Sequence, residues 1–175
     1  MKIWQQMLID AARRPQQRFL SVLEGLSPEQ ANGLPARKCA PTIKSIAWLA
    51  WHTAREQDLQ IADLAGSEPL WTAQGWNRRF ALDLPDDTED WRHTPEEAAK
   101  VVIHDLDLLR AYLDAATQAT IHYLEQVQPE TLEEVIDRNW TPPVTRAVRL
   151  VSIIDDASMH SGQAVYVRRL LGLAD

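Results

Sequence analysis

Cysteine is nearly absent from this sequence, and so are long hydrophobic runs. Cys39 is the only cysteine among 175 residues, which excludes an intramolecular disulfide and a cysteine-based zinc site. No run of about 18 apolar residues occurs, and the first residues lack the apolar core of a signal peptide. The sequence therefore predicts a cytoplasmic protein without a membrane anchor.

Lysine and arginine are also scarce relative to the acidic residues, 18 against 25, and the formal net charge is −7. Because nucleic acids and anionic membranes bind basic surfaces, this balance disfavours both as partners. Hydrophobic residues make up 45% of the chain, which is typical of a soluble globular protein. We therefore expect one domain, residues 1–175, that buries a core without disulfides.

Apolar residues recur every three or four positions, whereas alternating runs typical of strands are missing. This pattern predicts four long amphipathic helices at about residues 3–25, 42–65, 94–128 and 145–171. Pro15 should kink the first helix or make it restart, and "HTPEEAAK" supplies an N-terminal capping box for the third. Four such helices predict an all-α four-helix bundle with long connections.

Aliphatic side chains that share a helical phase predict the core of this bundle. Four of the seven tryptophans lie in the segments between helices, so we expect those connections to be packed rather than loose. These tryptophans are Trp71, Trp76, Trp91 and Trp140. The predicted core comprises Leu49, Leu59, Leu106, Leu109, Leu113, Leu150, Ile153, Val167 and Leu171.

Two histidines fall on helical stripes that are otherwise apolar. His160 interrupts the stripe of the fourth helix, with Asp156 one turn before it and Gln163 just after it. His52 lies on an apolar face of the second helix, with Glu56 one turn later. Such a histidine is most often a core residue with satisfied hydrogen bonds, but two of them near an aspartate also fit a metal site inside a bundle. The residues alone leave both interpretations open.

The other histidines look less suited to a site. His104 and His122 fall off the buried stripe of the third helix, so we expect water around them. His93 precedes that helix, where a surface position is expected, and the charged run "EDWRH" at residues 89–93 predicts a solvated loop. The motifs of zincins, ferritin-like di-iron proteins and nucleotide-binding loops are missing, so none of these classes is supported.

The segments "SIAWLAWHTAREQDLQIADL" and "HSGQAVYVRRLLG" together resemble the DinB-like superfamily (DinB/YfiT-like proteins), in particular its DUF664-type branch. The resemblance implies an up-down-down-up order of the four helices and, often, a homodimer. It also implies a divalent metal, such as zinc, nickel or iron, held by side chains that correspond here to His52, Asp156 and His160. The family usually has histidine where this chain has Asp156, but a carboxylate is an acceptable ligand for zinc or iron.

A metal with three protein ligands keeps open positions for water or substrate. The resemblance therefore implies a metal-dependent enzyme that acts on a small molecule, either as a thiol-dependent S-transferase using a low-molecular-weight thiol or as a hydrolase. Glu56 would be a general base or support His52, and Gln163 would bind a ligand or support His160. The alternative is a non-catalytic dimeric helical bundle whose metal site is altered or lost.

Overall fold

The computed structural model describes residues 1–35 and 39–173. The long helices are α1 (Ile3–Leu23), α3 (Ile46–Ala65), α7 (Leu106–Gln126) and α8 (Arg146–Leu170). Shorter helices are α2 (Pro28–Ala31), α4 (Leu70–Ala73), α5 (Trp76–Phe80) and α6 (Pro95–Ala98), with 3₁₀ turns at Asp90–Arg92 and Pro129–Thr131. Strands β1 (Val135–Asp137) and β2 (Val144–Thr145) form a small antiparallel pair. The predicted all-α fold class is therefore confirmed.

Contacts between helix ends show the direction of each long helix. Arg168 near the end of α8 donates to the Val22 carbonyl near the end of α1, so these two helices are parallel. Arg146 at the start of α8 donates to the Leu64 carbonyl near the end of α3, and Gln5 at the start of α1 donates to the last turns of α7. Both α3 and α7 therefore run opposite to α1 and α8, which is the expected up-down-down-up order. Each long helix packs against two of the others, with α1 and α3 both contacting α7 and α8.

The ends of the second and fourth predicted helices follow from local capping. The Ser45 side chain accepts a hydrogen bond from the backbone of Trp48, so α3 begins at Ile46 rather than near residue 42. Gly66, with a φ of 64°, ends α3 in the left-handed conformation that glycine adopts without strain. Thr145 caps α8, which therefore begins close to the predicted residue 145. In the first helix, α1 continues through the buried Pro15, so the expected restart does not occur.

The third predicted helix is wrong at its start. Thr94 and Glu97 do form a capping box, but the helix that they cap ends at Ala98. The side-chain amide of Asn32 accepts a hydrogen bond from the Ile103 backbone N–H and donates one to the Ile103 carbonyl, which holds the irregular segment 101–105 against the α2 turn. The long helix α7 therefore begins only at Leu106, and Asp105 caps it.

The core follows the predicted helical phase, but the tryptophans divide into two groups. Trp71 and Trp76 are buried and pack against Tyr112 of α7, with ring centroids 5.4 and 5.3 Å away. Trp91 and Trp140, by contrast, are 55% and 60% exposed, so the expectation of packed connections is wrong for these two. Seven of the predicted core residues are buried, namely Leu49, Leu106, Leu109, Leu113, Leu150, Ile153 and Val167, whereas Leu59 and Leu171 are partly buried.

Within the described ranges, every helix falls short of the length and apolarity that crossing a membrane requires.

Asp58 of α3 holds the long connection between α3 and α7 in place. Its two carboxylate oxygens accept hydrogen bonds of 2.7 Å from the backbone N–H groups of Leu70 and Trp71. The hydroxyl of Tyr112 also donates to Asp58, at 2.9 Å, so one buried carboxylate joins α3, α4 and α7. Burial raises the pKa of Asp58, and these three hydrogen bonds act against that rise.

We expect Asp58→Ala to lower the free energy of unfolding by about 3 kcal/mol, because several buried donors would lose their acceptor. Asp63→Ala is the matched control, since Asp63 is an exposed aspartate on the same helix and should change stability by less than about 0.5 kcal/mol. Urea denaturation followed by circular dichroism measures both. Equal effects of the two substitutions would contradict this role of Asp58.

Candidate metal centre

His52 of α3 and His160 of α8 face each other inside the bundle. Their ring centroids are 4.7 Å apart and the rings are nearly perpendicular, at 82°. Asp156 joins them, and one potential ligand atom of each of the three residues lies within 4.8 Å of the others. The predicted approach of the two histidines is therefore confirmed. That these three side chains bind a metal remains a prediction at this point.

Asp90 determines which nitrogen of His52 is available. The Nδ1 atom of His52 lies 3.0 Å from Oδ2 of Asp90, and both side chains are almost completely buried. Burial alone would raise the pKa of Asp90, but the hydrogen bond and charge of His52, together with Arg55, bring it below the usual value. Because an ionised carboxylate only accepts hydrogen bonds, Nδ1 of His52 carries a proton, and in the neutral imidazole Nε2 keeps its lone pair. Histidines that bind metals are commonly held by a carboxylate in this way.

His160 is oriented by a similar contact on its own helix. Its Nδ1 lies 2.8 Å from the side-chain oxygen of Gln163, and its Nε2 lies 3.3 Å from Oδ1 of Asp156. Burial lowers the pKa of His160, but the hydrogen bond and negative charge of Asp156 outweigh that effect and raise it. With Nδ1 donating to Gln163, the lone pair of Nε2 would repel the carboxylate unless a proton or a cation lies between them. The environment of His160 therefore favours a positive charge beside Asp156.

Trp48 and His93 form the wall behind the two facing histidines. The indole of Trp48 is stacked on His52 at 4.4 Å and 13°, and it meets His160 edge-on at 6.2 Å. Trp48 Nε1 donates to Nδ1 of His93, which leaves Nε2 of His93 to donate to the Thr88 hydroxyl. Burial lowers the pKa of His93. The surface position expected for His93 is therefore wrong, because both of its nitrogens have partners inside the protein.

The predicted solvated loop at residues 89–93 is wrong for the same reason. Asp90 and His93 are buried, while Glu89, Trp91 and Arg92 between and beside them are exposed. A short 3₁₀ turn separates inward from outward side chains here, and such a turn has no periodicity that a sequence reveals. The sequence analysis also missed Trp48, although its position one helical turn before His52 is a signal that could have identified it. His104 and His122 are exposed, as expected.

Glu56 lies one turn after His52, beside the three facing side chains. One of its carboxyl oxygens is within 4.8 Å of potential ligand atoms of both His52 and Asp90. Burial, together with the negative charge of Asp90, raises the pKa of Glu56 to about 7. Gln60 donates a hydrogen bond of 2.7 Å to its Oε2. A carboxyl group in such surroundings is suited to acid–base chemistry near neutral pH.

Two cavities give small molecules access to this region. A cavity of about 520 Å³ is lined in part by Glu56 and Asp156. A second cavity of about 510 Å³ is lined in part by Lys44, Gln163 and Tyr166. Since Gln163 contacts His160, the two cavities flank the histidine pair along α8.

The donor set fits a divalent metal ion. Two imidazole nitrogens and one carboxylate oxygen are ligands that zinc, iron and nickel all accept, and three protein ligands leave positions open for substrate. Asp90 and Gln163 occupy the Nδ1 atoms of the two histidines, so the Nε2 atoms remain for an ion. A second potential group, His52 with Glu56 and Asp90, shares one histidine with the first.

Comparison with known proteins places this chain in a family. The model of a family described as mycothiol-S-transferase matches residues 7–172. The chain belongs to the mycothiol-S-transferase family. This family is DinB-like, so the resemblance read from the α3 and α8 segments is confirmed, whereas the DUF664-type branch stays a prediction.

The fold of this mycothiol-S-transferase family member also has a solved counterpart. The crystal structure of a conserved protein from Enterococcus faecalis is 57% identical to it, covers 98% of each chain and superposes with a TM-score of 0.91. No curated protein matches the chain significantly. The ligand roles of His52, Asp156 and His160, and the catalytic roles of Glu56 and Gln163, therefore remain predictions.

We expect His52 of the metal-free protein to carry its proton on Nδ1, because Asp90 accepts a hydrogen bond there. Imidazole ¹⁵N chemical shifts, measured at mildly alkaline pH where free imidazole is neutral, report the tautomer directly. Asp90→Ala should produce a mixture of tautomers, whereas Glu89→Ala, at the exposed neighbouring carboxylate, should change nothing. A wild-type His52 protonated on Nε2 would contradict the proposed orientation of the ring.

Proposed function

We propose that this protein is a metal-dependent S-transferase that joins a low-molecular-weight thiol to a small-molecule acceptor. The ion would be held by His52, Asp156 and His160. One observation carries the proposal: Asp90 and Gln163 each engage the Nδ1 of a histidine, and the available nitrogens belong to side chains clustered with Asp156. The description of the matching family supports a thiol substrate and names mycothiol as its candidate.

The protein groups around the site suit this reaction. A bound divalent ion would act as a Lewis acid and lower the pKa of a thiol, so that the nucleophilic thiolate forms near neutral pH. Glu56 is placed to accept the proton that the thiol loses, since it lines the cavity next to Asp156. Asp90 and Gln163 keep the two imidazoles in one orientation, which reduces the reorganisation needed on binding. The same metal site would also serve a hydrolase, in which water replaces the thiol.

A competing proposal is that the protein is a non-catalytic helical bundle with the same fold. The Nδ1 atoms of both histidines already have hydrogen-bond partners, and Asp156 pairs with His160. These contacts give both Nδ1 atoms and Asp156 a partner without an ion, as a non-catalytic helical bundle would require, although Oδ1 of Asp90 is buried without a hydrogen-bond partner.

We also infer a homodimer, as the family resemblance implies, and the cytoplasm as its compartment. Exposed apolar side chains support the pairing of two copies, because large apolar groups on a surface often mark an interface. They include Val151, Met159 and Leu170 on α8.

Metal titration of three proteins tests the proposed ligands. Wild type should bind a single divalent ion per chain, and Asp156→Ala should lose more than about 100-fold in affinity, because the loss of a ligand exceeds that of a supporting contact. Asp156→His should bind well, since the residue four positions before His160 shares its helix face. Calorimetry with zinc, iron and nickel measures these affinities.

Asp155→Ala is the matched control, because Asp155 is exposed on the same helix and should leave affinity unchanged. Identical uptake by wild type and both Asp156 variants would remove Asp156 from the site. Zero uptake by all of them would favour the non-catalytic bundle.

Glu56→Gln should slow the reaction of mycothiol with an electrophilic acceptor by about 10²–10⁴-fold, because the amide cannot accept the thiol proton. Metal affinity should stay the same. Asp63→Asn, at an exposed position on the same helix, is the control for both measurements. An unchanged rate would exclude a proton-transfer role for Glu56, and a collapse of metal affinity would show that Glu56 is itself a ligand.

A further inference from the structure

Trp91 and Trp140 expose large apolar surfaces although they come from different parts of the chain. Trp91 lies in the 3₁₀ turn Asp90–Arg92, and Trp140 lies in the connection between β1 and β2. More than half of each side chain is accessible, yet both line the same cavity of about 520 Å³. Exposed aromatic side chains that converge on one concave surface are typical of ligand sites.

This cavity borders the candidate metal centre. Glu56 and Asp156 lie in its lining together with the two tryptophans. Its volume suits a small molecule rather than a protein segment. Val144 and Val148 provide further apolar surface in the lining. A ligand held by the tryptophans would therefore extend toward Glu56 and Asp156.

The charges in the cavity indicate what kind of ligand fits. The single cation of its lining, Arg149, forms a hydrogen-bonded ion pair of 3.1 Å with Asp137, and both side chains are about one-fifth exposed. The guanidinium is thus already neutralised and offers little attraction for an anion. The lining also holds three carboxylates, which disfavour an anion further. The guanidinium of Arg92, a residue outside the cavity lining, covers one face of the Trp91 ring at 4.0 Å, which leaves the other indole face for a ligand. Flat indole faces recognise planar aromatic rings.

We propose that Trp91 and Trp140 bind a flat aromatic group of the acceptor substrate and hold its reactive end next to Glu56 and Asp156. The assignment of this ligand as the acceptor rests on the proposed S-transferase function. Binding of the aromatic group itself requires neither a metal nor a thiol. The two parts can therefore be tested separately.

The test compares two ligands of the same skeleton by calorimetry on chelator-treated, full-length protein. The probe 2-naphthol is flat and aromatic, whereas decahydro-2-naphthol has the same two rings and hydroxyl without an aromatic face. Wild type should bind 2-naphthol roughly 2- to 10-fold more tightly than its saturated analogue. Trp91→Leu and Trp140→Leu keep an apolar side chain but remove the indole face, so each should abolish this preference.

Tyr166→Leu is the matched control, because Tyr166 is a similarly exposed aromatic residue, at 62%, that lines the other cavity. It should leave the preference intact. Equal affinity of wild type for both ligands, or an unchanged preference in both tryptophan variants, would overturn the proposal. So would sedimentation data in which the tryptophan variants dissociate a dimer, because a second copy of the chain would then be the occupant.

The metal titration separates the outcomes. Lost aromatic preference with normal metal uptake would remove only the acceptor site. Aromatic preference without metal uptake or thiol transfer would retain the binding site and remove the proposed enzymatic function.

Discussion

The buried hydrogen bond between His52 and Asp90 is the contact on which the site depends. It joins the central helix α3 to the long connection between α3 and α7, and both partners are almost inaccessible to water. A carboxylate in such a position is stable only if its charge is compensated. His52 and Arg55 supply that compensation, since both act to lower the pKa of Asp90. Orientation of the histidine and folding of the connection are therefore parts of one interaction.

Other contacts of α3 fix the position of the connection that carries Asp90. Arg55 donates to the Asp86 carbonyl and lies over Trp71 at 4.7 Å, while Asp58 holds the backbone of α4. Successive turns of α3 thus bind successive parts of the connection. Because Trp48 stacks on His52 and also donates to His93, the imidazole is restrained from two sides. Such restraint leaves few alternative rotamers for a side chain that would have to meet an ion at a fixed distance.

How far the sequence predicts this structure depends on the kind of signal that each part leaves. The long helices were predictable from helical periodicity, which also places His52 and His160 on inward faces. The meeting of these histidines with Asp156 was expected from the family resemblance. Asp90 was not, since its burial depends on a 3₁₀ turn and on distant partners. The capping box at Thr94 correctly marks a helix start, but a cap carries no information about helix length. The capped helix α6 stops early because the backbone of Ile103 is hydrogen-bonded to Asn32, which lies 71 residues away in the sequence.

The effect of the Asp156 charge depends on the carboxyl groups near it. Asp90 and Glu56 already place two carboxyl groups next to His52, so an aspartate near His160 adds a third to the same small region. Burial and the negative charge of Asp90 raise the pKa of Glu56 to about 7, so this group holds a proton for part of the time near neutral pH, which reduces the repulsion. A divalent cation would relieve the same repulsion more completely, because it compensates two charges rather than one. Compared with the histidine that the family resemblance implies at this position, Asp156 therefore makes the pocket more negative. It also links the protonation of Glu56 to whatever positive charge lies between His160 and Asp156.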